Sequence, residues 1–148
     1  MTASEIGPAF RKLPGVVGTE VGYAGGRVDA PTYGQVCGGS TGHAESVRLE
    51  FDPKKISYKQ LLEAFFGMHD PTSKNRQGLD FGAQYRSAVF FHSKEQEKEA
   101  KREIATLGTS GKFWLPIVTE LVPAGKFWRA EEYHQKYIMK RGGAGCRI

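Results

Sequence analysis

At 148 residues, 39% hydrophobic and 25% charged, the chain is one domain's worth of polypeptide with enough apolar material for a real core, which excludes a disordered or fibrous protein. No apolar run approaches the ~18 residues of a membrane helix, and no basic-then-apolar amino terminus marks a secretory signal. Residues 1–148 are therefore expected to form a single cytoplasmic domain without membrane contact, or an organellar one should a transit segment precede it. The net charge of +5 arises wholly after Lys74, and bases there alternate with acids from Lys94 to Glu103, the pattern of a solvated helix face rather than of a nucleic-acid stripe.

Ile6, Phe10 and Leu13 recur at helical spacing, with Pro8 expected in the first turn and Pro14-Gly15 as the stop. Val17, Thr19, Val21 and Tyr23 alternate as in a strand that ends in Gly22-Tyr23-Ala24-Gly25-Gly26. A polar loop is expected from Arg27 to His43. In the following strand, Ala44 to Phe51, the residues Val47, Leu49 and Phe51 share one face while Ser46, Arg48 and Glu50 share the other. The period of two assigns Glu45 to the apolar face. Ser57 and Gln60 make a capping box for a helix with the stripe Tyr58, Leu61, Leu62, Phe65 and His69. A second polar loop, Thr72 to Gln84, feeds a strand from Tyr85 to Phe91. Ser93 and Gln96 open a third helix with the stripe Ala100, Ile104 and Leu107, and Leu115 to Val122 reads as a further strand. The order of elements implies an α+β two-layer sandwich.

Glu45 is the first candidate for chemistry. A carboxyl on a buried strand face loses hydration, stays protonated near neutrality and can donate a proton. Tyr23 and Tyr85 are phenols at strand ends beside glycine-rich loops, able to polarise a substrate oxygen. Asp80, within Gln77-Gly78-Leu79-Asp80-Phe81-Gly82, can orient such donors. The two cysteines, Cys37 and Cys146, form neither a disulfide framework nor a metal knuckle. Cys146 stands in a glycine tail from which a thiol can reach another sulfur, whereas Cys37 reads as an inert structural thiol. His43, His69, His92 and His134 lack metal-ligand spacing, so no metal and no bound cofactor are expected.

Several blocks of residues resemble one family, the A-type peptide-methionine sulfoxide reductases. They are Gly22-Tyr23-Ala24-Gly25-Gly26, Pro31-Thr32-Tyr33, Val36-Cys37, Thr41-Gly42-His43-Ala44-Glu45, His69-Asp70-Pro71-Thr72, Asn75-Arg76-Gln77-Gly78, Gln84-Tyr85-Arg86-Ser87-Ala88 and Ala130-Glu131-Glu132-Tyr133-His134-Gln135. They stand in the family's order and span nearly the whole chain from Phe10 onward. The resemblance implies a ferredoxin-like two-layer α/β sandwich with a mixed sheet. It also implies thioredoxin-dependent reduction of methionine (S)-sulfoxide, in peptides and as the free amino acid, by a monomer that binds no nucleic acid. On that pattern Glu45 is the proton donor, Tyr23, Tyr85 and Asp80 surround the sulfoxide oxygen, and Cys146 is the recycling cysteine. Cys37 matches a position other than the nucleophile.

The family's first strand ends in Gly-Cys-Phe-Trp, which supplies the nucleophile. Counting back from Phe10 places Thr2, Ala3 and Ser4 where cysteine, phenylalanine and tryptophan stand in the family, and no strand precedes them in these residues. A hydroxyl forms no sulfenate, so Thr2 is no substitute. Two expectations follow: a gap where a central strand runs in the family, and impaired turnover. The alternative reading is a non-catalytic module that binds methionine sulfoxide or a partner protein.

Overall fold

Side-chain oxygens at helix starts and hydrophobic alternation in the strands set most element boundaries. The computed structural model describes residues 3–130. Helix α1 runs Ala3–Arg11, followed by β1 (Val16–Ala24), α2 (Tyr33–Cys37), β2 (Ala44–Phe51) and α3 (Tyr58–Met68). A two-residue hairpin, β3 (Arg76–Gln77) and β4 (Asp80–Phe81), leads through a 3-10 turn at Ala83–Tyr85 into β5 (Ala88–Phe91). Then come α4 (Lys94–Thr109), β6 (Glu120–Pro123) and β7 (Phe127–Arg129).

The expected capping box opens α3: Ser57 accepts from the Gln60 amide while the Gln60 side chain accepts from the Ser57 amide. At α4 the Ser93 hydroxyl accepts from the Gln96 amide, but the Gln96 side chain reaches back to His92 instead. Pro8 lies in the interior of α1 rather than in its first turn, because the helix begins at Ala3.

The sheet is mixed. β1 lies between β2 and β7, antiparallel to both, and β5 pairs with β6 in parallel, with α4 as the crossover. This is the expected α+β class. One irregularity in β1 alters its pattern: Val16 faces Phe51 and Gly18 faces Glu50, so Val17 is an extra residue in a bulge. Val17 is 70% exposed in consequence, whereas Thr19, Val21 and Tyr23 keep the expected face.

Three other expectations give way. The strand expected over Leu115 to Val122 shrinks to Glu120–Pro123. The residues before it run along the surface, with Trp114 98% exposed and the Val118 amide bonded to the Pro71 carbonyl. The expected strand from Tyr85 begins only at Ala88, since Tyr85 and Arg86 donate their amides to Gly82 and Ala83 in the 3-10 turn. Both polar loops also hold structure: α2 in the first, with a Thr32–Gln35 capping box, and the β3–β4 hairpin in the second.

The core has three parts. Ile6 and Phe10 of α1 pack with Ile56 and Leu61, and Val47, Leu49 and Phe51 of β2 lie against them. Leu62 and Phe66 of α3 meet Val89 and Ala100. Val21 and Tyr23 meet Val36 and Ala130. These packings leave a cavity between β2 and β5, over α3.

Candidate active site

The antiparallel register of β1 and β2 sets Tyr23 opposite Glu45. Directly opposed residues of an antiparallel pair project to one face with their β-carbons about 5 Å apart, so strand pairing alone brings the phenol and the acid together. Tyr23 is 1% exposed. Beyond it the backbone turns at Gly25 and Gly26. A β-carbon on Gly26 would lie 2.6 Å from both the His43 ring and the Thr41 carbonyl. That closeness lets the His43 ring fasten the loop: its Nδ1 accepts from the Gly26 amide (3.0 Å) and its Nε2 donates to the Val28 carbonyl (2.6 Å).

Glu45 points inward as its parity predicts. Its carboxyl oxygens have no solvent contact although the residue as a whole is half-buried. Burial most of all, and then the negative charge of Asp80, raise its pKa, a hydrogen bond with Tyr85 partly offsets both, and the result is a value of about 8. At neutral pH the group is a carboxylic acid. Its neighbours in that balance are two of the three residues selected with it from the sequence, and β-strand register supplies the third.

Glu45 and Tyr85 line the cavity of about 240 Å³ between β2 and β5. Tyr23 and Asp80 stand outside its wall. Tyr23 is reached through the β1–β2 pair, and Asp80, half-buried in β4, acts on Glu45 through its charge. Leu61, Leu62, Phe65 and Val89 supply apolar wall, and such surroundings favour the uncharged acid.

Other wall residues were not selected from the sequence. Gln84 is buried at the Glu45 end and its Nε2 donates to the Cys37 carbonyl (3.3 Å). Arg86 ties the two sides together, donating to the carbonyls of Gly42 (3.0 Å) and Ala83 (2.9 Å) and pairing with Glu120. His69 heads a polar chain: its Nδ1 donates to the Phe65 carbonyl (2.6 Å), and its Nε2 accepts from Ser87, which in turn meets Thr119. Burial lowers the His69 pKa to about 4, so the ring is neutral. The block Gln84-Tyr85-Arg86-Ser87 carried the signal for three of these residues, and only its tyrosine has a side chain that announces acid–base use.

Cys37 ends α2, half-buried, and it is disulfide-bonded rather than the inert free thiol expected. Cys146 and Thr2 lie outside the described residues. Among the described residues, no group of three His, Cys, Asp or Glu side chains is placed to hold a metal, and no helix is long and apolar enough to cross a membrane.

The family description "Peptide methionine sulfoxide reductase" matches residues 6–148. The chain belongs to this family. A peptide methionine sulfoxide reductase of Methanoculleus marisnigri is 58% identical over 139 residues, which is 94% of this chain and 85% of that protein. The reductase of Acidobacterium capsulatum is 56% identical over 140 residues, 95% of this chain and 90% of its own. Among solved structures, methionine sulfoxide reductase A of Corynebacterium diphtheriae superposes with a TM-score of 0.80 at 34% identity, covering 97% of this chain and 72% of the other. Mxr1 from Saccharomyces cerevisiae in its reduced form gives 0.75 at 39% identity, covering 89% and 76%. A methionine sulfoxide reductase is an oxidoreductase.

Proposed function

We propose that this fold reduces methionine (S)-sulfoxide, in peptides and as the free amino acid, and that the residues from 1 to 148 carry the oxygen-handling half of the reaction. The observation that supports this most is Glu45, an acid kept protonated at neutral pH beside Tyr85 at one end of an apolar cavity. Reduction of a sulfoxide needs a thiolate to attack sulfur while the oxygen takes up protons. The S–O bond then breaks, the thioether leaves, and the oxygen is retained as a sulfenic acid on the attacking sulfur. A second thiol attacks that sulfenic acid, forms a disulfide and releases water. An external dithiol, thioredoxin, reduces the disulfide.

In this scheme Glu45 protonates the oxygen, Tyr85 and Tyr23 hold it by hydrogen bonds, and Asp80 keeps the Glu45 proton in place. Cys146 is the recycling thiol. No cysteine stands near Thr2, since the two cysteines are Cys37 and Cys146, so the attacking sulfur is lacking and the chain by itself turns over poorly. The protein acts as a cytoplasmic monomer.

The test is an assay of methionine sulfoxide reduction with dithiothreitol and with thioredoxin. The 148-residue chain is expected to be inactive, and a variant in which a strand ending in Gly-Cys-Phe-Trp takes the place of Met1 to Ser4, so that the cysteine stands at position 2, is expected to be active. A folded extended variant without activity overturns the scheme. If that variant is inactive yet calorimetry shows saturable binding of a methionine-sulfoxide peptide, a non-catalytic binding module is the better reading.

A further inference from the structure

A β-ladder frays at its last pairs unless something beyond them holds the two chains. The ladder of β1 and β2 ends with Tyr23↔Glu45 and Ala24↔Ala44, so the phenol and the acid stand one pair from its end. Beyond that end the two chains stay joined. The Gly26 amide donates to His43 Nδ1 (3.0 Å), His43 Nε2 donates to the Val28 carbonyl (2.6 Å), and the Arg27 amide donates to the Thr41 carbonyl (3.1 Å). The His43 amide donates to the Thr41 hydroxyl (3.2 Å), which fixes the turn that carries the ring. Thr41 and His43 are each 3% exposed, so their side of these bonds is shielded from competing water. Tyr85 reaches the same place by another route. Arg86, its neighbour in the chain, donates to the Gly42 carbonyl (3.0 Å), one residue before His43. The same guanidinium lies against Gly25, where a β-carbon would come within 3.2 Å of Arg86 Nη2 and 2.9 Å of the Phe90 ring. The segments that bear Tyr23, Glu45 and Tyr85 thus converge on Gly25-Gly26, Gly42-His43 and Arg86.

We infer that His43 is a positioning residue: its ring, with the proton on Nε2, locks the open end of the β1–β2 ladder and so sets Tyr23 against Glu45 and, through Gly42 and Arg86, Tyr85 against both. It acts through these groups rather than on the substrate. The tautomer follows from the partners. A backbone amide can only donate and a carbonyl can only accept, so Nδ1 carries the lone pair toward Gly26 and Nε2 the hydrogen toward Val28. Few side chains can do both. Leucine has comparable bulk and neither polar atom, so it leaves the Gly26 amide and the Val28 carbonyl without these partners. Asparagine places an acceptor oxygen where Nδ1 stands but is too short to reach Val28. Glutamine places its amide where Nε2 stands, keeping Val28 and losing Gly26. The Gly26 bond matters more for the lock, because it lies just past the last pair of the ladder, on the strand that carries Tyr23.

This inference rests on the proposed function only for the identity of the acid, and the test keeps the two apart. In the full 148-residue chain, side-chain carboxyls are followed by carbon-13 NMR through a pH titration, and amide hydrogen exchange is read along β1, β2 and the loop from Gly25 to Val28. Glu45 of the parent is expected to titrate near 8. An ordinary value there counts against Glu45 as the proton donor, and the lock is then decided by exchange alone. His43→Leu is expected to speed exchange at Gly26 and at the Tyr23–Ala24 end of the ladder by at least about tenfold, leaving the Val16 end as it was. In the same variant Glu45 is expected to titrate at least about one pH unit lower, as water enters beside it. His43→Asn is expected to return both readouts most of the way to the parent, and His43→Gln to resemble His43→Leu. If the leucine variant does not fold, the asparagine and glutamine variants carry the comparison by themselves. Parent-like exchange and titration in both His43→Leu and His43→Gln overturn the lock. So does faster exchange spread evenly along both strands with Glu45 unmoved, since that marks a residue that only adds stability. An asparagine variant no closer to the parent than the glutamine variant overturns it as well.

Discussion

Glu45 and Asp70 carry the same functional group and have been driven in opposite directions. Glu45 lies in β2 with buried oxygens and the charge of Asp80 nearby, and its pKa rises to about 8. Asp70 lies exposed just beyond α3 and accepts from the Thr72 amide (2.9 Å), the Thr72 hydroxyl (2.5 Å) and the Ser73 hydroxyl (2.6 Å). Those side-chain donors, Ser73 and then Thr72, lower its pKa. Hydrogen bonds to the charged form outweigh a modest desolvation at Asp70, and desolvation outweighs the Tyr85 hydrogen bond at Glu45. One carboxyl is built to hold a proton, the other to cap a turn.

Five experiments sharpen or break that contrast. The largest effect belongs to Glu45→Gln in the strand-extended variant, expected to lower kcat about 10²–10⁴-fold by removing the proton donor. A rate within threefold of the parent breaks the assignment. Second, Gly26→Ala, which forces a β-carbon into the His43 ring, is expected to cost about 2–3 kcal/mol of stability in urea unfolding by overpacking. Third, the two carboxyls predict opposed pH responses. The folded pKa of Glu45 is above its unfolded value, so its contribution is fully present below about 4.5 and is lost as pH rises through about 8. Glu45→Gln should flatten that decline. Asp70 is depressed, so its contribution is present above its ordinary value of 3.8 and is lost as pH falls through the lower folded pKa. Asp70→Asn should remove that acid-side loss, an effect of about 1 kcal/mol or less for an exposed group.

The fourth and fifth are shifts in the alkaline limb of the rate profile, each expected to be at most about one pH unit, the usual spread of perturbed values. Tyr85 lowers the Glu45 pKa and Asp80 raises it. Tyr85→Phe should therefore move the limb upward and Asp80→Asn should move it downward. Shifts in one common direction would mean that Glu45 is not the group titrating.

The sequence carried the parts of this arrangement that depend on local rules. Alternation in Ala44 to Phe51 set Glu45 inward before any contact was known, and the Ser57–Gln60 box fixed the start of α3. The Thr32–Gln35 box of α2 is equally local, but it opens a helix of five residues inside a glycine-containing polar loop where no apolar period marks it. Asp80 is different. Its closeness to Glu45 depends on the β3–β4 hairpin and on Gly82, whose φ of +133° precedes the 3-10 turn, and no period in the sequence encodes a meeting across such a distance along the chain. β7 is likewise non-local, three residues long and defined by its pairing with Gly22, Tyr23 and Ala24. The exposed Trp114–Val118 segment misled in the other direction, since its apolar residues resemble a strand but find no neighbour to pair with until Glu120.

The middle strand β1 carries a small ionic rivet. Glu20 engages Arg48 of β2 with one carboxyl oxygen and Arg129 of β7 with the other (3.0 Å), so a single side chain spans all three strands. All three groups are partly open to solvent, and added electrolyte weakens such pairs. Among the described residues β7 pairs with β1 over three residues, the Ala130 amide adding a bond to the Val21 carbonyl (2.9 Å), and its Phe127 forms part of the cavity wall beneath the Arg48 guanidinium. Concentrated salt should thus weaken this tie across the three strands, making the Phe127 side of the cavity wall sensitive to ionic strength while the acid stays dry.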